Sequence, residues 1–316
     1  MDEFSLIELI TTLLGAQRGA AGGVGDDATV LDVPADRQIV VSTDSLVEGV
    51  HFEAGVSPAD LGYKSLAVNL SDLAAMGAEP AWYLLALTLP QLDEAWAGEF
   101  ASGMNVLAES SRIRLVGGDI TRGPLNITVT VCGLVEPGQA ITRSGAQEGD
   151  VIVVSGPTGL AGFALSQLQQ GLEAPDMCLR SLRRPVPRLQ LGRSLAGLAN
   201  SCIDISDGLL ADLGHIAQAS GVGMEIELER LPLPADLAGL EAEARWNLQL
   251  GGGDDYELCF TLPPARWHEL DDVPSDTEFS PTVIGRVVAG EACTCLRADG
   301  SVYVPPRTGY VHGGSV

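Results

Sequence analysis

The 316-residue chain holds one lysine, Lys64, and only 18 basic residues against 42 acidic ones, a formal net charge of −24. A nucleic-acid partner demands clustered Lys and Arg to displace counterions, so nucleic acid is not an expected partner. With its single lysine outside any glycine-rich loop, the chain cannot build a G-x-x-x-x-G-K-[ST] phosphate loop. No run of 18 apolar residues occurs, and the opening MDEFSLIELI is acidic where a secretory signal is basic, so a soluble, cytoplasmic protein without a membrane partner is expected. The six cysteines (Cys132, Cys178, Cys202, Cys259, Cys293, Cys295) form no C-x-x-C pair, which argues against a disulfide framework. Cys293 and Cys295 alternate along an expected strand, yet two thiols without further Cys or His make a poor zinc site. Protein-kinase signatures, the G-x-S-x-G elbow and the D-x-[DN]-x-[DN]-G calcium loop are absent as well. The four histidines (His51, His215, His268, His312) are dispersed; His215 and His268 read as surface or packing residues on helices.

What the chain does have is apolar content, 46% of its residues, enough for one large or two ordinary domains. Residues 5–14 read as a helix with Ser5 and Glu8 as a capping box. Residues 28–33 and 38–43 read as strands. Ser57-Pro58 opens a helix to about Met76, with Tyr63, Leu66, Ala67, Leu70, Leu73 and Ala74 on its apolar face and Ser65, Asn69, Asp72 and Met76 on another. A strand near 82–89, a helix near 93–110 and strands at 113–117 and 125–135 complete a first unit. The turn-rich stretch 136–150 marks a boundary. Beyond it come strand 151–154, helices after Gly159 and near 188–199, strand 202–205, a helix after Gly208, strand 223–228, a helix near 236–246, strand 256–262 and short strands to the end. This mixture predicts an α/β (α+β mixed) fold in two domains.

Aspartates cluster at expected element ends: Asp26-Asp27, Asp44, Asp119, Asp204 with Asp207, and Asp254-Asp255, with Asp72 on the polar face of its helix. Asp is common at turns and N-caps for local reasons. Most of these, however, end or interrupt β-branched runs, and carboxylates that meet in a cleft repel unless cations join them. Hard divalent ions with oxygen ligands relieve that repulsion, and magnesium held by few carboxylates keeps positions open for phosphate oxygens. Metal-assisted phosphoryl transfer is the reaction class this pattern favours. Ser155 to Gly162 looks superficially like a phosphate loop, but without lysine a tight strand-to-helix turn is the better reading.

The ordered set GVGDDATVL, VVSTDSLVEGVHF, KSLAVNLSDLAAMGAEP, LVGGDITRG, ITRSGAQEGD, DISDGL and GGGDDYEL resembles the thiamine-monophosphate kinase family, within the aminoimidazole-ribonucleotide synthetase-like ATP-binding superfamily. The resemblance covers essentially the whole chain. It implies ATP-dependent phosphorylation of thiamine monophosphate to thiamine diphosphate, by direct in-line transfer assisted by several Mg2+ ions. It also implies a homodimer whose N-terminal domain sheets form a barrel-like unit. The expected division is 1–137 for ATP and metal binding and dimerisation, 138–150 as linker and 151–316 as a C-terminal α/β domain. By resemblance the metal ligands are Asp27, Ser42, Thr43, Asp44, Asp72, Asp119, Asp204 and Asp207. ATP would meet Ser42, Gly118, Asp119, Arg143 and Ser206; the acceptor would meet His51, Asp255 and Tyr310. An aromatic ring suits a cationic thiazolium, by an attraction of roughly 0.5–2 kcal/mol. No side chain is assigned as nucleophile or general base. A selenophosphate synthetase-like member of the superfamily is disfavoured, since an N-terminal reactive Cys with a nearby Lys is missing: the first cysteine is Cys132. A non-catalytic protein that merely binds divalent cations is the remaining alternative.

Overall fold

The computed structural model describes residues 3–15, 24, 26–270, 273, 277 and 279–310. His312 and the glycines Gly23 and Gly25 of the GVGDD motif lie outside the described residues. The chain forms two compact units, Met1–Leu73 with Ala78–Gly138, and Ala74–Gly77 with Gln139–Val316.

In the first unit, helix α1 (Glu3–Leu13) precedes β1 (Gln38–Val47), α2 (Pro58–Ala75), β2 (Glu79–Leu89), α3 (Glu94–Ser111), β3 (Arg114–Arg122) and β4 (Asn126–Val135). The sheet runs β1-β4-β2-β3, with β4 antiparallel to both β1 and β2, and β3 parallel to β2. The parallel pair needs a crossover, which α3 supplies. Asp93 starts α3 by accepting from the N–H groups of Ala95 (2.8 Å) and Trp96 (3.2 Å), and Arg112 closes it in the left-handed region at φ 59°. A Cβ on Gly62 would overlap the Phe100 carbonyl, and one on Gly103 the Ala59 carbonyl, so the crossing of α2 and α3 requires both glycines. Along β4, Ile127, Val129 and Val131 are buried while Thr128 and Thr130 are half-exposed, a period of two that separates a covered from an open face.

Two expectations fail in this unit. Residues 28–33 form no strand: Pro34 and the flanking aspartates do not continue a ladder, and Thr29 instead donates its hydroxyl to the Val116 carbonyl. Helix α1 begins at Glu3, so Ser5 and Glu8 lie inside it rather than at an N-cap. The polar side of α2 is itself partly buried, with Ser65 and Asn69 1% and 0% exposed.

The second unit contains β5 (Val151–Val154), α4 (Leu160–Gln169), α5 (Asp176–Arg183), α6 (Leu189–Leu195), β6 (Ser201–Asp204), α7 (Leu209–Ser220), β7 (Gly223–Glu227), α8 (Ala242–Gly251), β8 (Leu258–Leu262), β9 (Thr282–Val288), β10 (Cys293–Leu296) and β11 (Val302–Tyr303). Its sheet order is β11-β10-β7-β9-β5-β8-β6, antiparallel throughout except for β10 against β7. Ile152, Val154 and Ile203 pack into one core with Leu213, Ile226 and Trp246; Val153 and Cys202 pack into another with Leu191, Leu195 and Phe260. Both faces of the central strands are therefore covered, which explains their unbroken apolar runs. The helix expected near 236–246 begins later, at Ala242; Ala235–Leu237 forms only a short 3-10 turn that does not continue into it.

Candidate active site

The first-unit cluster is built on β1 and α2. Strand β1 does not end at Ser42-Thr43-Asp44; it continues to Val47, paired residue by residue with β4. Ser42 and Asp44 alternate with Thr43, so they share the face that carries buried Leu46. The Ser42 hydroxyl donates to Asp72 Oδ2 at 2.5 Å, and the Asp44 backbone N–H donates to Asn69 Oδ1 at 3.0 Å. Asn69 is held in turn by its amide, which donates to the Ser65 carbonyl at 2.9 Å. The buried polar side of α2 thus positions a hydroxyl, a carboxylate and a backbone amide beside one another.

Thr43 faces the other way, where its hydroxyl meets Thr130 Oγ1 at 2.9 Å and donates to the Val129 carbonyl at 3.1 Å. Its side chain does not join Ser42 and Asp44. Asp119 is also elsewhere: Ile120 is buried, so Asp119, one residue earlier on β3, points to the open face, in the row of Ser45. Asp44 pairs with Val129, Val129 with Leu85 and Leu85 with Gly118, which puts Asp44 and Gly118 in one row, three strand spacings or about 14 Å apart. Gly118 is required by packing, since a Cβ would overlap the Leu85 carbonyl. Asp27 is exposed on a loop two residues before Thr29, which hangs on β3. Beyond β1 a turn through Gly49 (φ 79°) brings back His51, whose Nδ1 accepts from the Val47 N–H at 3.1 Å. In the neutral ring that bond leaves the proton on Nε2.

The second-unit cluster is a knot of three loops. After β6, Asp204 is 5% exposed, Ser206 is exposed and Asp207 half-buried. The Asp254 N–H donates to the Ser206 carbonyl (2.7 Å), the Tyr256 N–H to the Ile205 carbonyl (2.8 Å) and the Tyr310 N–H to the Asp207 carbonyl (2.9 Å). Tyr310 is 53% exposed. Asp255, by contrast, turns inward: it is 9% exposed and its Oδ1 accepts from the Gly159 N–H at 2.8 Å. Burial pushes its carboxyl well above the usual range, with Glu257, Asp254 and Asp212 adding to the rise. The half-exposed carboxylate of GGGDD is Asp254, in the left-handed region at φ 63°. Arg143 lies exposed on a loop tied to β6 through the Cys202 N–H and the Thr142 carbonyl (3.0 Å).

Motif reading passes over Asp212, which lies on α7 at 3% exposure. Its Oδ2 accepts from three successive N–H groups, those of Ser206 (2.9 Å), Asp207 (3.1 Å) and Gly208 (3.1 Å). Burial raises its carboxyl to about 6. Ligand atoms of Asp207, Asp212 and His215 all lie within 4.8 Å of one another, so His215 is not an isolated surface residue. The signal that could have found Asp212 is an Asp four residues beyond Gly208, in the first turn of a helix whose N-terminus lacks a side-chain cap. Burial raises every one of the six thiols, which disfavours the reactive thiolate form.

Residues 25–135 match the AIR synthase related protein N-terminal domain, and residues 147–295 match its C-terminal domain. The thiamine-monophosphate kinase of Escherichia coli strain K12 is 44% identical over 317 residues, covering 98% of each chain. The crystal structure of thiamine-monophosphate kinase from Stenotrophomonas maltophilia K279a superimposes with a TM-score of 0.86 at 42% identity, covering 96% of this chain and 98% of that one. AaThiL complexed with AMPPCP and TMP gives a TM-score of 0.78 at 34% identity, over 98% and 96% of the two chains. No helix among the described residues is long and apolar enough to cross a membrane.

Proposed function

The chain belongs to the thiamine-monophosphate kinase family of AIR synthase related proteins, and we propose that it transfers the γ-phosphoryl group of ATP to the phosphate of thiamine monophosphate, giving thiamine diphosphate. The observation that carries this reading is that full-length likeness to these kinases coincides with the Ser42 hydroxyl bonded to the Asp72 carboxylate and Asp44 on the same face of β1 as Ser42. A relative of the same fold is complexed with AMPPCP and TMP.

The donor set fits magnesium. Its atoms are carboxylate and hydroxyl oxygens, the ligands of a hard cation, and no thiolate is among them. Asp27, Ser42, Thr43, Asp44, Asp72 and Asp119 in the first unit, with Asp204 and Asp207 in the second, are the proposed holders. Of these, Ser42, Asp44 and Asp72 have the strongest geometric support. Bound Mg2+ would neutralise charge on the nucleotide phosphates. Gly118, Ser206 and Arg143 are proposed to meet ATP, the guanidinium supplying the fixed positive charge that a chain with one lysine otherwise lacks.

The acceptor is itself a phosphate oxygen, largely ionised near neutrality, so no side chain needs to remove a proton from it. The protein's work is to position two anions in line and to balance their charge. Asp254 and Tyr310, tied to the two ends of the Ser206-Asp207 turn, are proposed to hold the cationic ring, with Asp255 supporting the loop from inside. His51, with Nδ1 engaged, is proposed to direct Nε2–H to the acceptor. The edge strand β1 exposes Ile39 (45%) and Val41 (60%), which supports a homodimer joined through this sheet.

The deciding assay incubates purified protein with Mg-ATP and thiamine monophosphate and separates thiamine diphosphate by chromatography. Folded protein that forms no product above a no-enzyme control overturns the reading.

A further inference from the structure

We propose that Asp212 is the positioning residue of the Asp204–Gly208 loop, holding Ser206 and Asp207 in the orientation that engages metal and nucleotide. The inference rests on the phosphoryl-transfer reading above. One carboxylate oxygen of Asp212 gathers three consecutive backbone N–H groups, at 2.9, 3.1 and 3.1 Å. These are the donors of the chain as it leaves β6 and enters α7, and no hydroxyl or carboxylate at Gly208 is there to accept them. Gathering them to one point forces a tight turn: Gly208 takes φ 134°, Ser206 is left exposed, and the half-buried Asp207 keeps its carboxylate within 4.8 Å of a ligand atom of Asp212. The same turn offers outward carbonyls, which accept from Asp254 and Tyr310. One carboxylate, 3% exposed, therefore sets the geometry of the proposed metal, nucleotide and acceptor contacts of this unit at once.

Asp212 is not itself in solvent, and its Oδ2 is committed to the backbone. Its action is through the residues it orients, as hydrogen-bonded outer partners do for the ligands of metal sites.

The test compares Asp212→Ala, Asp212→Glu and Asp212→Asn with the parent protein. Mn2+ binding is measured by electron paramagnetic resonance with a non-hydrolysable ATP analogue and no acceptor; kcat, KM values and melting temperature are measured separately. Asp212→Ala and Asp212→Glu, the first lacking the acceptor and the second displacing it by a methylene, should weaken Mn2+ binding by about 10–100-fold and lower kcat comparably, while Asp212→Asn, which keeps an oxygen in place, recovers most of both. Should the Ala variant not fold, the Glu and Asn variants decide. Parent-like Mn2+ binding and kcat in folded Ala or Glu variants, even with a lowered melting temperature, overturn the inference. So does an Asn variant as impaired as the Glu variant. A parent protein that binds no Mn2+ and forms no product overturns the phosphoryl-transfer reading, and this inference with it; where the parent does both, parent-like variants overturn the role of Asp212 alone.

Discussion

The two units treat the same residue type in opposite ways. On β1 and α2 the Asp72 carboxylate accepts from the Ser42 hydroxyl, and Asp44 is exposed with its backbone N–H held by Asn69. In the second unit Asp204, Asp212 and Asp255 are 5%, 3% and 9% exposed, and the bonds of the last two run to backbone N–H groups. A carboxylate left open to solvent, or bonded only by a neutral hydroxyl, remains able to take a cation. A buried one satisfied by the backbone instead fixes a loop. The first arrangement places function in the side chain, and the second places it in the shape of the chain around it.

Four substitutions would break or sharpen that contrast. The largest effect is expected on stability in the second unit, at Glu257→Ala. Glu257 and Arg188 form an ion pair in which each side chain is 7% exposed, and Ser155 donates to the same carboxylate. Removing the acid strands a buried guanidinium, at a cost of about 3–5 kcal/mol in a urea denaturation midpoint analysis. In the first unit, Asp44→Asn should lower thiamine diphosphate formation on the order of a hundredfold, about 2.7 kcal/mol of transition-state stabilisation, with the melting temperature unchanged or higher. Collapse of the folded protein instead would make Asp44 a structural residue and erase the contrast. Gly118→Ala lies between the two kinds: its Cβ would press on the Leu85 carbonyl, and a loss of about 1–3 kcal/mol should appear in thermal unfolding.

The smallest effect is expected at Asp255→Asn, and it depends on pH. The folded carboxyl is raised by burial first and then by Glu257, Asp254 and Asp212, while the Gly159 N–H opposes the rise. A raised value means that the folded state holds its proton longer than the unfolded chain does. The stabilisation is present below the ordinary carboxylate range and is lost as pH rises through the raised value. The Asn variant keeps an acceptor for Gly159 and loses the titration, so its melting temperature should exceed the parent's at pH 8 by more than at pH 5. Parallel pH profiles for the two proteins would show that Asp255 is not held protonated.

Where the sequence was legible, periodicity was the reason. The apolar face of α2 and the long strand β4 follow from spacing alone, and Pro58 marks the start of α2. Polarity misled in β1, where Ser-Thr-Asp-Ser reads as a strand end. An edge strand with one open face tolerates hydroxyls at no cost to its ladder, so pairing continued to Val47. On α2 the spacing separates Ser65 and Asn69 from the apolar face but does not reveal that they are buried, with Asn69 meeting the backbone of β1. The cluster of Ser42, Asp44 and Asp72 was visible as motif residues, but the opposite orientation of Thr43 and the open-face position of Asp119 emerge only from register. In GGGDD two adjacent aspartates are indistinguishable by composition, and the left-handed turn at Asp254 is what separates an inward from an outward carboxylate.

Helix α2 also limits how the molecule can be taken apart. Its residues up to Leu73 count with the first unit, whereas Ala74–Gly77 count with the second, where a Cβ on Gly192 would overlap the Ala74 carbonyl and Gly77 lies against Ile141. A single cut near residue 138 would therefore leave the second unit without a short piece of its own core. Chimaeras made by exchanging halves with a relative would inherit a mismatched last turn two residues past Asp72. A workable exchange has to carry residues 74–77 along with 139–316, so the natural unit of recombination is two segments rather than one.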